Sequence, residues 1–109
     1  MSQTNPLLTV TAANHAALLA QEKPLLLDFW APWCGPCRQL EPTIAALATA
    51  NAGRALVAKV NVDEQAELAS QYGVRSIPSI FVLHKGEVKA SFVGLKSQAE
   101  LQQALDALL

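Results

Sequence analysis

Apolar residues along this chain fall into blocks whose period switches between that of a strand and that of a helix. The first block, Leu7-Leu8-Thr9-Val10, reads as a short strand. Thr11 is placed to N-cap a helix reaching about residue 21, with Leu18 and Leu19 on its buried side. Residues 24–30 are nearly all apolar, the pattern of a central strand covered on both faces. From Cys34 to Asn51 the period becomes helical, with Leu40, Ile44, Leu47 and Ala48 forming one stripe. Pro42 interrupts that stripe and predicts a kink, because it removes a backbone donor. Gly53 ends the unit.

Residues 55–62 alternate, with Leu56, Ala58, Val60 and Val62 in step, which predicts a third strand. Residues 64–72 predict a short helix stopped at Gly73. Ile80-Phe81-Val82-Leu83 is a fourth strand, His84-Lys85-Gly86-Glu87 a hairpin turn, and residues 88–93 return as a fifth strand. Ser97 and Glu100 have capping-box spacing at the start of a last helix, whose buried side is Leu101, Ala104, Leu105 and Leu108. Helical crossovers make the first three strands parallel, and the tight turn makes the last two antiparallel. The expectation is an α/β fold: a mixed five-stranded sheet with four helices on both faces.

Composition narrows this picture. At 109 residues and 51% hydrophobic, residues 1–109 suit one domain with its own core. The net charge of −1, with no basic cluster, argues against nucleic acid or an anionic membrane as partner. No apolar stretch is long enough to span a bilayer. The start, Met1-Ser2-Gln3-Thr4-Asn5-Pro6, lacks the charged and apolar segments of a secretory signal, so the chain reads as cytoplasmic, and we expect a monomer. In a reducing compartment cysteines serve metals or catalysis more often than cross-links.

There are two cysteines, in Trp33-Cys34-Gly35-Pro36-Cys37, where the central strand hands over to a helix. That placement suits a reversible dithiol–disulfide couple. The competing reading is half of a zinc site, but His15 and His84 lack paired ligand spacing and no further cysteine exists. No glycine-rich dinucleotide fingerprint is present, so no bound cofactor is expected. Asp28 interrupts the apolar strand; it is either a buried carboxylate with a raised pKa or a strand-end residue facing solvent. Lys59 by itself reads as a solvated strand lysine, and Pro78 as punctuation at a strand start. Trp33, beside the thiols, suits a contact surface, whereas Phe29 and Trp30 suit the core. His15, His84, Glu64 and Glu67 read as surface residues without chemistry.

The run Asp28-Phe29-Trp30-Ala31-Pro32-Trp33-Cys34-Gly35-Pro36-Cys37 resembles the active-site signature of the thioredoxin family. Ala58-Lys59-Val60-Asn61-Val62-Asp63, Tyr72-Gly73-Val74-Arg75-Ser76-Ile77-Pro78 and Phe92-Val93-Gly94 extend the resemblance along nearly the whole chain. Ser79 stands where threonine is common in the family, and Pro32 where some members carry an acidic residue. The resemblance implies a thioredoxin fold and a protein-disulfide reductase acting on disulfide-containing proteins and recharged by a separate thioredoxin reductase. It implies that Cys34 is the exposed attacker, Cys37 the enclosed resolver, Asp28 the proton acceptor and Lys59 the cation that tunes Asp28. It further implies a cis Ile77–Pro78 bond and a substrate rim of Trp33, Gly35, Pro36, Ile77, Pro78 and Gly94. An oxidase or isomerase of the same fold, and a redox-independent binding module, are the rival functions. The Gly-Pro pair between the cysteines favours the reductant.

Overall fold

A computed structural model describes residues 6–109 of the chain; the expectation drawn from Met1–Asn5 lies outside the described residues. Five strands form one sheet in the order β1-β3-β2-β4-β5: β1 Leu7–Thr9, β2 Leu25–Trp30, β3 Leu56–Asn61, β4 Ser79–His84 and β5 Glu87–Val93. β3 runs parallel to both β1 and β2, while β4 is antiparallel to β2 and to β5. The mixed sheet expected from the chain order is therefore the observed one. The β4–β5 turn has positive φ at both Lys85 (54°) and Gly86 (81°), the left-handed pair that suits a two-residue hairpin.

Four helices cover the sheet: α1 His15–Leu19, α2 Gly35–Ala50, α3 Ala66–Gln71 and α4 Gln98–Asp106. Side chains of a strand alternate between faces, so β2 contributes to two cores. Leu26 packs with Val57, Ile80 and Val82 against Leu40, Ile44 and Leu47 of α2 and Leu101 and Leu105 of α4. Leu25, Leu27 and Phe29 pack with Ala58, Val60 and Leu68 on the other side, where Leu18, Leu19 and Tyr72 close the layer. The stripe expected on α2 is buried throughout, and α2 continues through Pro42 as one element. Ser97 and Glu100 form the capping box at the start of α4.

Two helix starts differ from the sequence reading. α1 begins at His15, not after Thr11, because the Asn14 side chain takes over the local backbone. Asn14 Oδ1 accepts the Thr11 N–H at 2.8 Å and its Nδ2 donates to the Thr9 carbonyl at 2.8 Å, which holds a turn in place of the first helical turn. α3 begins at Ala66 for a related reason: Asn61 Oδ1 accepts the N–H groups of Asp63 (2.8 Å) and Glu64 (3.3 Å). His15 is also not a free surface residue. Its Nε2 lies 2.8 Å from the Tyr72 hydroxyl, and the side chain is half-buried.

Candidate active site

The end of β2 and the start of α2 meet at Cys34. Its extended backbone (φ −89°, ψ 113°) makes it the N-cap of α2, and its Sγ accepts the Cys37 N–H at 3.2 Å. A sulfur in that position faces the unpaired N–H groups and positive dipole end of a 16-residue helix, which favours a thiolate when the pair is reduced. Pro36 falls in the first turn, where a missing N–H leaves no bond unmade. Cys34 and Cys37 are joined as a disulfide, with Cα atoms 5.2 Å apart.

Both cysteines are nearly covered. Cys34 is 5% exposed and Cys37 3% exposed, so the expected contrast between an exposed and an enclosed sulfur is absent in the disulfide state. The cause is packing: the pair sits with Ala31 in a small apolar cluster against Trp30, Val62 and Ile77. Cys34 Sγ lies 3.7 Å from the Ile77 carbonyl oxygen, and the Ile77–Pro78 bond is cis.

Around the pair, Trp33 is 69% exposed and Gly35 and Pro36 are also open, while Ile77 and Gly94 are half-buried. Pro78 is buried, which removes it from the open rim and makes it part of the floor. The Gly94 N–H donates to the Pro78 carbonyl at 2.9 Å and ties the end of β5 across it. Gly94 has φ of 89°, a conformation that favours glycine. Trp33, Val62, Ala69, Val74, Arg75 and Ile77 line a shallow cavity of about 180 Å³ beside the pair. A larger hollow of about 440 Å³ lies between α1 and α3 and contains no expected site residue.

Asp28 is buried, with 2% of its surface exposed, and its Oδ1 has no hydrogen-bond partner. Burial pushes its pKa up to about 7; Lys59 opposes that shift and Glu41 adds to it. Lys59 is the β3 register partner of Asp28, yet its ammonium pairs elsewhere. Its Nζ lies 3.7 Å from Glu41 Oε1 and 3.8 Å from the centroid of the Trp30 ring.

Two residues of this neighbourhood escaped the sequence reading. Glu41 lies four residues after Cys37, on the same helical face, and that spacing was the available signal. Asp63 accepts the Trp33 indole N–H at 2.8 Å across 30 residues of chain. The Asn61–Asp63 turn at the end of β3 was its only local sign.

The family model for thioredoxin matches residues 6–107. This chain belongs to the thioredoxin family. It is 39% identical to a thioredoxin of Alicyclobacillus acidocaldarius over 102 residues, covering 94% of this chain and 97% of that protein. It is 46% identical to a thioredoxin of Streptomyces clavuligerus over 87 residues, 80% of each chain. Identity to thioredoxin 1 of a Nostoc species is 43% over 89 residues, covering 82% of this chain and 83% of that one. Thioredoxin family membership and the disulfide at active-site spacing make the protein a thiol–disulfide oxidoreductase, a dithiol disulfide reductase with Cys34 and Cys37 as its redox centre. Among the described residues, no group of three or more His, Cys, Asp or Glu side chains could hold a metal ion. No described helix is long and apolar enough to cross a membrane.

Proposed function

We propose that residues 1–109 work as one domain that reduces protein disulfides by a two-step exchange with divided roles. The Cys34 thiolate attacks one sulfur of a substrate disulfide, forming a Cys34–substrate bond and releasing the other substrate sulfur as a thiolate. Cys37 then gives its proton to the Asp28 carboxylate. The Cys37 thiolate attacks Cys34 sulfur, the mixed disulfide breaks, and the second substrate thiolate leaves. The substrate has gained two electrons and the Cys34–Cys37 pair is oxidised.

The observation that carries this assignment is the position of Cys34 Sγ at the N-cap of α2, where it accepts the Cys37 N–H. The helix end stabilises negative charge on the first sulfur and holds the second one turn away, ready to resolve. Asp28 suits the acceptor role because a buried carboxyl with a pKa near 7 can take up and release a proton near neutral pH. Lys59 tunes it. An extended substrate segment pairs with the Ile77 backbone beside Cys34, with Trp33, Gly35, Pro36 and Gly94 as apolar contacts and Pro78 beneath. Such pairing reads backbone, so many disulfide-containing proteins can serve as substrates. A separate thioredoxin reductase returns the pair to the dithiol, and the monomeric domain works in the cytoplasm.

Reduction of insulin disulfides, driven by a chemical or enzymatic electron source, tests the division of labour. Cys34→Ser and Cys37→Ser both lose turnover, and Cys37→Ser accumulates a mixed disulfide through Cys34. Retained turnover in Cys34→Ser rejects the assignment.

A further inference from the structure

Strand parity places Asp28 and Trp30 of β2 on the same face as Leu26, and Lys59 of β3 on the same face as Val57, all beneath α2. Glu41 reaches this layer from α2, four residues beyond Cys37. The Lys59 ammonium stands where two anions compete for it. Asp28, directly opposite in register, is buried and keeps one oxygen unpartnered; Glu41, half-exposed, holds the ion pair. The face of Trp30 supplies the cation's second contact.

We propose that Glu41 is a positioning residue of the redox site: by holding the Lys59 ammonium over Trp30, it keeps that cation from pairing fully with Asp28 and so sets the pH at which Asp28 accepts the Cys37 proton. This rests on Asp28 being the acceptor. A carboxylate in a close ion pair stays ionised to low pH and is a weak base. A carboxylate left partly unpaired in an apolar setting has a proton affinity closer to that of the thiol it must deprotonate. Among the groups around Asp28, Lys59 comes from β3 and Glu41 from α2, its β4 register partner Ile80 carries no charge, and Cys37 titrates only once the disulfide opens. Glu41 thus acts twice: as a negative charge that raises the affinity of Asp28 for a proton, and as the partner that draws Lys59 outward.

Carbon-13 NMR of the Asp28 carboxyl, titrated in the oxidised protein, reads this directly. Four forms are compared: the parent, Glu41→Gln, Lys59→Met and the double variant. Glu41→Gln lowers the Asp28 midpoint by about half a pH unit or more, because Lys59 is released toward Asp28 and a nearby negative charge is gone. Lys59→Met raises the midpoint. In the Lys59→Met background the effect of Glu41→Gln is smaller, since only the direct charge remains. An unchanged or raised midpoint in Glu41→Gln overturns the proposal. So does an equal shift in both backgrounds, which would make Glu41 a lone charge that does not act through Lys59. The pH profile of mixed-disulfide resolution follows the NMR midpoint in Glu41→Gln. A midpoint that moves while the rate profile stays still overturns Asp28 as acceptor and leaves the hold of Glu41 on Lys59 standing.

Discussion

β2 faces two interiors of opposite character. Toward α1 and α3, Phe29 contacts Tyr72 and Phe81 at ring centroid distances of 5.2 and 5.5 Å, and the Tyr72 hydroxyl is met by His15. Toward α2 and α4, the residue one place earlier is Asp28, buried with an unpartnered oxygen. The first layer is satisfied and adds stability; the second keeps an unfavourable group in place on the face covered by the helix that starts at the cysteine pair. The two layers also tilt stability against pH in opposite directions. Asp28 has its pKa raised by burial, so its side is most stable at low pH and loses stability as pH rises through about 7. His15 has its pKa lowered by burial, so its contribution is present above its ordinary titration range and is lost as pH falls.

The largest break in this comparison comes from the satisfied side. Phe29→Ala removes a fully buried ring that two other rings contact, and is expected to lower unfolding free energy by about 3–5 kcal/mol in urea titrations. The loss is similar at pH 5 and pH 8, because no titrating group is removed. A loss that varied strongly with pH would mean the two faces are not separate.

Asp28→Asn acts next, and in the other direction. Below about pH 4 the carboxyl is neutral in both folded and unfolded chains, so the variant and the parent differ little. Between that pH and 7 the unfolded parent ionises freely while the folded carboxyl stays protonated, and stability drains away until the folded group ionises too. Asparagine escapes that loss, so the variant is expected to be more stable by roughly 4 kcal/mol at pH 8. Resolution of mixed disulfides slows in the same variant. Equal stability at pH 4 and pH 8, relative to the parent, would show that the carboxyl titrates as an exposed one.

Much of this was legible in the chain because its determinants are local. The α2 stripe and the Ser97–Glu100 box depend on spacings of three and four residues, and both hold in the structure. The near-continuous apolar run of β2 announced a strand buried on both sides, and the strand directions followed from crossovers and one turn, whereas the order β1-β3-β2-β4-β5 came only from the structure. The start of α1 was not legible, because the Thr11 N–H could be capped either within a helix or by the Asn14 side chain, and composition does not separate the two. The exposure of Cys34 was implied by the family resemblance, whereas in the disulfide state Ile77, contributed by a segment 43 residues away, lies against it. Glu41 and Asp63 were missed for the same reason: their partners Lys59 and Trp33 lie on other elements, and only the fold brings them together.

The smallest effect is the most specific test of the satisfied layer. Tyr72→Phe keeps the ring that contacts Phe29 and Phe81 and deletes only the hydroxyl that meets His15 at 2.8 Å. The expected loss is about 1 kcal/mol at pH 8, the usual net value of one hydrogen bond, read as a lower urea midpoint with an unchanged slope. His15 is only partly buried, so water can replace part of the lost contact, which keeps the loss small. The pH profile of disulfide exchange stays where it is, since Tyr72 lies across the sheet from Asp28 and Lys59. A shifted profile would mean that the sheet couples its two faces, and the division drawn along alternate residues of β2 would have to be given up.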